Sequence, residues 1–463
     1  MATHAEHAHG HRRVQRTWDL TPQQVVTDGL QRIRAAGSSY RLALIISAIL
    51  GVIGVIALII RPIIGAGWGD RQAWTYVAAT FGFLMSTVGS APCFSVAMRL
   101  TRGHWRRPVN RLAELWGAGL IVPFILLVLL IFVLPNTEGR QTLWFGWWAA
   151  PYLWDIVMML ALTICGYGFL YVASLPDMAI ARDQVERDRP GRFTRMARGF
   201  RGTVYQWQII DRGVAYLGAL YILLYVGTMT VMASELILAL LPGDNSAIFP
   251  AAYTVAGLES GIAVTIIAMA VFRRWGGAGE YLESEQFFAA SKLMLALGLL
   301  WFYFHWTEFV IWWYGRTPRE LSLLKVLYFE PYFWLFVIAF ACMFLAPLFV
   351  LVWTRIRMGI AGPTVAACLV VVGQAVDQVR LMSASFSIPN IYEKELSIIP
   401  NAYIPGVFDI LLYVGLAGGA FALVLLALKV VAYPSIWEIT AGLWLRARKQ
   451  YYKTEVTLIG KPN

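Results

Sequence analysis

Two residues able to do acid–base chemistry, His305 and Glu308, lie inside the aromatic run WFYFHWTEFVIWWYGRTPRE, residues 301–320. Three positions apart on a helix, they share one face. An imidazole and a carboxylate so placed can pass a proton, hold a hydroxyl or carbonyl oxygen, or bind each other. Their setting is apolar, with four tryptophans, three phenylalanines and two tyrosines in that run. Taking ionisable groups into hydrocarbon is costly, so such residues face a bundle interior and mark proton, ion or ligand paths. Glu114, Asp155, Glu235, Glu259, Asp377 and Arg380 are further candidates, each within or beside an apolar block.

The elements that must position them are membrane helices. Of 463 residues 59% are hydrophobic and 14% charged, with a mean hydropathy of +0.61. That is too apolar for a soluble domain. The apolar blocks reach the roughly 20 residues a helix needs to cross a bilayer. Ten spans are expected, at 40–64, 73–98, 112–134, 149–175, 213–241, 247–272, 293–314, 327–354, 358–381 and 405–432. The fold class is an all-α polytopic membrane protein, two four-helix bundles with peripheral helices. Residues 1–39 and 433–463 read as an N-terminal and a C-terminal tail flanking the 40–432 membrane domain. An even number of spans puts both tails on one side. Of 38 Lys and Arg, 28 fall in the tails and in the loops on that side, and six in the opposite loops. The positive-inside rule makes the basic side cytoplasmic. The net charge of +11 therefore needs no nucleic acid.

Placed on this topology, the ionisable residues gather toward the outer leaflet. Asp155, Glu235 and Asp377, the last with Gln374 and Arg380, fall near the outer ends of spans four, five and nine. His305 and Glu308 lie in the outer half of span seven. Glu259 lies mid-membrane, and Glu114 near the cytoplasmic face, three residues from a pairing partner, Arg111. The expectation is one outer polar cluster of His305, Glu308, Asp155 and Asp377, with Glu259 and Glu114 continuing inward. Glu330 and Asp409 read as solvated interfacial groups, and Arg380 as snorkelling to the headgroups.

Several chemistries are excluded or demoted. The four cysteines fall singly within apolar blocks, without metal-ligand spacing. A membrane haem held by two histidines needs two intramembrane imidazoles, and only His305 qualifies. No histidine box or P-loop is present. The histidine-rich segment HAEHAHGH, 4–11, reads as a flexible tail, and 181–202 as a solvated, lipid-facing segment, either a surface helix interrupted at Pro190 or a basic patch on anionic headgroups. Gly415 and Gly419 form a G-x-x-x-G pattern that permits close helix approach.

Three stretches carry a resemblance. WFYFHWTEFVIWWYGRTPRE resembles the seventh helix and following turn of the NrfD family, the membrane subunits of polysulfide reductase and of alternative complex III. PYLWDIVMMLALTICGYGFLYVASLPDMAIARD, 151–183, resembles its helix four, with a Trp-Asp opening and a closing Leu-Pro-Asp. NSAIFPAAYTVAGLESGIAV, 245–264, resembles its helix six. The resemblance implies a periplasmic iron–sulfur subunit beside the chain, a cytochrome subunit, a second NrfD-like membrane subunit, and exchange of electrons with quinone near the outer face. Asp155 and Asp377 match the family's acidic positions on helices four and nine. Two departures stand out. No histidine occurs in 112–134, and the helix-nine Glu-Arg pair reads Asp377-Gln378 with Arg380 two places on. In these the chain is similar to ActF, the second membrane copy of alternative complex III, rather than to quinol-binding ActC.

These readings imply an integral subunit, without a redox centre of its own, of a bacterial quinol-oxidising respiratory complex in the inner membrane, with proton conduction through its bundles. Iron–sulfur and haem centres are expected in its partners, quinone or quinol at the chain itself, and no metal in it. The alternative is a proton or solute transporter or a structural anchor.

Overall fold

A computed structural model of the chain describes residues 20–459 apart from 35–36, 65–69, 136–141, 145, 187–190, 394, 397, 445 and 452–453. The histidine-rich segment 4–11 and Pro190 lie outside the described residues. Ten helices are long and apolar enough to cross a membrane, as the sequence leads one to expect. After a short helix α1 (Pro22–Arg34) they are α2 (Ser38–Arg61), α3 (Arg71–Leu100), α4 (His104–Ile131), α5 (Tyr152–Val185) and α6 (Val204–Leu240). There follow α7 (Phe249–Trp275), α8 (Ser284–Gly315), α9 (Phe333–Val352), α10 (Ala361–Phe386) and α11 (Val407–Ala427). Both described ends lie on one face, here the terminal face; the other is the far face.

Several helices outrun their apolar blocks on the terminal face, because polar caps rather than hydropathy fix their ends. Thr203 and Gln206 form a reciprocal capping box that starts α6, nine residues before the apolar block at 213. Glu283 and Gln286 do the same for α8.

Packing runs in two rings. Helices α3, α4, α5 and α6 contact one another in sequence and close through α6 on α3; α7, α8, α9 and α10 close likewise through α10 on α7. The rings meet where α3 packs on α7 and α10. α2 is lipid-facing over most of its length and pairs with α11, which leans on α3 and α4. The two backbones approach closely because glycines face each other. A Cβ on Gly51 would come within 2.8 Å of Gly419 Cα, and Gly54 sits against Gly415. The G-x-x-x-G pattern therefore does the job its spacing suggests, with partners on α2 that the pattern alone does not name.

The described parts of the segments expected to be tails form elements of their own. In α1, Val25, Leu30 and Ile33 are buried, and α1 packs on a last helix, α12 (Ile436–Trp444). Beyond it an antiparallel hairpin, β1 (Arg446–Tyr451) and β2 (Thr454–Ile459), adds a small β element to an otherwise helical chain.

Candidate functional site

In the far half of the second ring, α8 presents His305 and Glu308 inward, and both are buried. The His305 ring packs at a tilt against Trp301 one turn below, with centroids 4.4 Å apart, and meets the Tyr328 ring edge-on at 6.5 Å. Asp377 and Arg380 of α10 lie within electrostatic reach of the imidazole. These two form a buried ion pair: Arg380 Nε and Nη2 lie 2.9 and 2.7 Å from Asp377 Oδ1. Arg380 Nη1 also donates to the Leu327 carbonyl at 2.9 Å. That carbonyl belongs to a widened helical turn, Lys325–Phe329, whose looser pitch turns backbone acceptors outward. The same guanidinium covers the Tyr328 and Phe336 rings at 5.7 and 5.5 Å.

Glu308 points toward the far-face loop 241–248. Ser246, Asp244 and Arg380 lie near enough to act on its carboxyl. Asp244 itself is buried in that loop. Burial pushes its carboxyl up to about 7, against a lowering hydrogen bond from the Ser246 N–H at 3.1 Å. Two atoms in this cluster are buried with no hydrogen-bond partner, His305 Nδ1 and Glu308 Oε1. Leaving such atoms unmet costs about 1–3 kcal/mol each.

Deeper in, neutral polar groups line the junction of the rings. The Tyr253 hydroxyl donates to Gln378 Oε1 at 2.9 Å, and Gln374 Nε2 donates to Ser86 Oγ at 2.9 Å. Ser86 sits in another widened turn, Met85–Gly89 of α3. Near mid-membrane Glu259 is buried against α8, where a Cβ on Gly298 would stand 2.7 Å from its Oε1. Its Oε2 has no hydrogen-bond partner, and beside it is a cavity of about 10 Å³ walled by Met294, Leu295 and Met343. A single water needs about that volume.

The terminal face holds a second polar cluster of another kind. Glu114 of α4 accepts from Ser95 Oγ at 2.8 Å and Arg99 Nη2 at 2.6 Å, with Arg111 Nη1 at 3.4 Å completing an ion pair. Arg111 Nη2 donates to Asp177 Oδ2 at 2.8 Å, Ser435 Oγ at 3.0 Å and the Ala173 carbonyl at 2.9 Å. Glu438 of α12 meets Arg99, with Arg106 Nη1 at 3.2 Å and Asn110 Nδ2 at 3.1 Å. Burial alone would raise the Glu438 carboxyl, but the guanidiniums of Arg99, Arg106 and Arg111 outweigh it and hold it below the usual carboxylate range. Asp177 of α5 accepts from the Trp437 N–H at 3.0 Å, so the Leu-Pro-Asp turn anchors α12.

The structure thus regroups the residues picked from the sequence. His305, Glu308, Asp377 and Arg380 come together. Asp155 and Glu235 do not join them: Asp155 Oδ1 accepts from Trp144 Nε1 at 2.9 Å, and Glu235 Oε1 from the Leu143 N–H at 2.9 Å, so both secure a far-face loop of the first ring. Depth was shared, azimuth was not. Arg380 is buried and paired rather than snorkelling. Asp409 is fully buried, 2.7 Å from Arg61 Nε and accepting from the Tyr403 hydroxyl at 2.8 Å, whereas Glu330 is exposed as expected. Glu114 pairs with Arg111 as its spacing allows, yet its position in the terminal-face network separates it from the far cluster. Asp244, Asp177 and Glu438 were not singled out. Asp244 lies in the polar stretch PGDNS, and Glu438 in the segment expected to be a C-terminal tail. The two described histidines, His104 and His305, stand at opposite ends of the membrane domain. Among the described residues no three His, Cys, Asp or Glu side chains converge as a metal site.

Among protein-family models, the one described as polysulphide reductase, NrfD, matches residues 65–390. That stretch runs from the loop before α3 to just past α10, and so contains both rings and the far-face cluster. No curated protein matches the chain.

Proposed function

The chain belongs to the NrfD family, and from that premise we propose that it is the membrane subunit of a bacterial quinol-oxidising respiratory complex whose far-face cluster exchanges protons. One observation carries the reading: His305 Nδ1 and Glu308 Oε1 are buried without hydrogen-bond partners, beside a charged pair that is itself satisfied. Buried polar atoms are ordinarily partnered. Atoms kept open at such a cost suit a species that comes and goes, a proton or a quinol oxygen.

In the proton-relay reading, Glu308 takes a proton at its open oxygen and Asp244 is its exchange partner toward the far face. Gln378, Tyr253, Gln374, Ser86 and Glu259 give the relay polar neighbours farther inward. In the second reading a quinol hydroxyl donates to His305 Nδ1 while Glu308 accepts the other proton, since oxidising a hydroxyl needs a base within hydrogen-bond reach. The aromatic walls of Trp301, Tyr328 and Phe336 favour that second reading. In either, electrons pass to iron–sulfur and haem centres on partner subunits, the chain supplying none. The excess of Lys and Arg in the terminal-face loops supports an inner-membrane orientation with both termini cytoplasmic.

The test is turnover in the assembled complex. His305→Ala and Glu308→Gln should each lower quinol oxidation or coupled proton uptake about a hundredfold or more, the scale of a lost general acid–base group, while the subunits still co-purify. Loss of uptake with turnover intact selects the relay; loss of both selects the quinol site. Normal turnover and uptake in both variants would leave these residues as packing groups.

A further inference from the structure

On the terminal face, α7 ends in Arg273, Arg274 and Trp275 beside a groove of about 360 Å³ lined by Ala270, Arg273, Arg274, Gly279 and Ile360. From this groove we infer a binding site for the phosphodiester headgroup of an anionic membrane lipid. Arg273 and Arg274 line it, and three further cations are linked to its Ile360 wall by sequence or by a shared ring. Arg355 and Arg357 lie on the short turn that leads into Ile360, and Arg357 shares the Phe288 ring with Lys292, at 5.3 and 4.2 Å. Among the described residues none of the five has a carboxylate within ion-pair distance, unlike the arginines of the neighbouring terminal-face cluster. Arg357 Nε is buried with no hydrogen-bond partner. The helix α10 begins at Ala361, on the groove's edge, and its unpaired first-turn N–H groups add positive potential.

Three features make the occupant a lipid rather than a soluble phosphate. The groove opens at the level where α7 and α9 leave the membrane. Trp275 and Trp353 are 66% and 63% exposed there, the placement of interfacial tryptophans. Val271, Ile356 and Met358 are exposed alongside, offering apolar surface to acyl chains. Basic pockets between membrane helices are suited to acidic headgroups, and an arginine fork to a phosphate's paired oxygens. Arg273 is the fixed wall: its Nη1 donates to the Gly279 carbonyl at 2.8 Å and to Leu282. Arg274 and Arg357 remain to engage the ligand.

The experiment uses the purified full chain with phosphatidylglycerol, phosphatidylcholine or soluble glycerol 3-phosphate, reading retained lipid by native mass spectrometry and the thermal midpoint. Phosphatidylglycerol should be retained and should raise the midpoint; phosphatidylcholine and glycerol 3-phosphate should do neither. The double variant Arg274→Gln/Arg357→Gln should bind phosphatidylglycerol about 30-fold more weakly, as expected for two juxtamembrane charges. Arg201→Gln, an exposed charge elsewhere on the chain, should bind it normally. Equal retention of both lipids by the unaltered chain overturns the proposal without recourse to any variant. So does undiminished binding by the double variant, and a response to glycerol 3-phosphate equal to that of the lipid would reassign the groove to a soluble phosphate.

Discussion

The two buried polar clusters contain the same kinds of side chain and arrange them oppositely. On the terminal face each carboxylate touches a guanidinium: Glu114 meets Arg99 and Arg111, Glu438 meets Arg99 and Arg106, and Asp177 meets Arg111. The chains of bonds tie α3, α4, α5 and α12 together. On the far face only Asp377 and Arg380 are matched in this way; His305 and Glu308 have no ion-pair partner among the described residues and keep open atoms. The terminal cluster, though Asn110 Oδ1 and Arg111 Nε lack hydrogen bonds, leaves no carboxylate without a counter-charge. The difference teaches that burial of a charge is not by itself a sign of chemistry. A network closed by ion pairs holds helices together; one that leaves ionisable groups without a counter-charge is open for something else to bind.

If that distinction is right, substitutions in the two clusters should fail in different ways. The largest stability loss is expected from Arg111→Ala, which leaves Asp177 and Glu114 buried beside a vacated cation. Removing one partner from a buried pair costs about 3–5 kcal/mol. Thermal unfolding in detergent, or loss of the monodisperse peak on size exclusion, checks this. A stable Arg111→Ala protein would break the comparison at its structural end.

The next effect is one of pH, and its sign differs between the faces. Glu438 lies below its ordinary value in the fold, so its stabilisation is present above an unfolded value of about 4.3 and is lost as pH falls through the folded one. Asp244 at about 7 lies above its unfolded value of about 3.9. The folded state there keeps a proton that the unfolded state gives up, so stability declines as pH rises from about 4 to 7. Glu438→Gln should therefore destabilise near neutral pH and lose its effect in acid. Asp244→Asn should stabilise above about pH 8 and change little near pH 4. Thermal midpoints across that range show whether the two variants move in opposite directions. The smallest stability change belongs to Glu308→Gln, within about 1 kcal/mol, because it removes no ion pair and keeps a polar side chain of the same size. A loss as large as that of Arg111→Ala would make Glu308 a structural residue too.

Much of this was readable in the chain. Ten apolar blocks become ten helices because nothing but a helix satisfies its own backbone in lipid. Their ends were less readable, since hydropathy marks the hydrocarbon layer and not the helix, and α5 runs on to Val185 in polar sequence. His305, Glu308, Asp377 and Arg380 stood out because charges in apolar blocks are conspicuous. Asp155 is joined to them on depth alone, and depth says nothing of which ring a residue faces. Asp244 and Glu438 were hidden for the opposite reason: in polar sequence an acid attracts no notice, and only tertiary packing buries it.

The most direct test of the central contrast asks whether the Glu308 carboxyl changes protonation when the complex works. Redox-induced infrared difference spectra of the assembled complex should show a protonated-carboxyl C=O band that vanishes in Glu308→Gln and persists in Glu438→Gln. A carboxyl band unchanged by Glu308→Gln, or removed by Glu438→Gln instead, would contradict the assignment of proton exchange to the open cluster and of a purely structural role to the closed one.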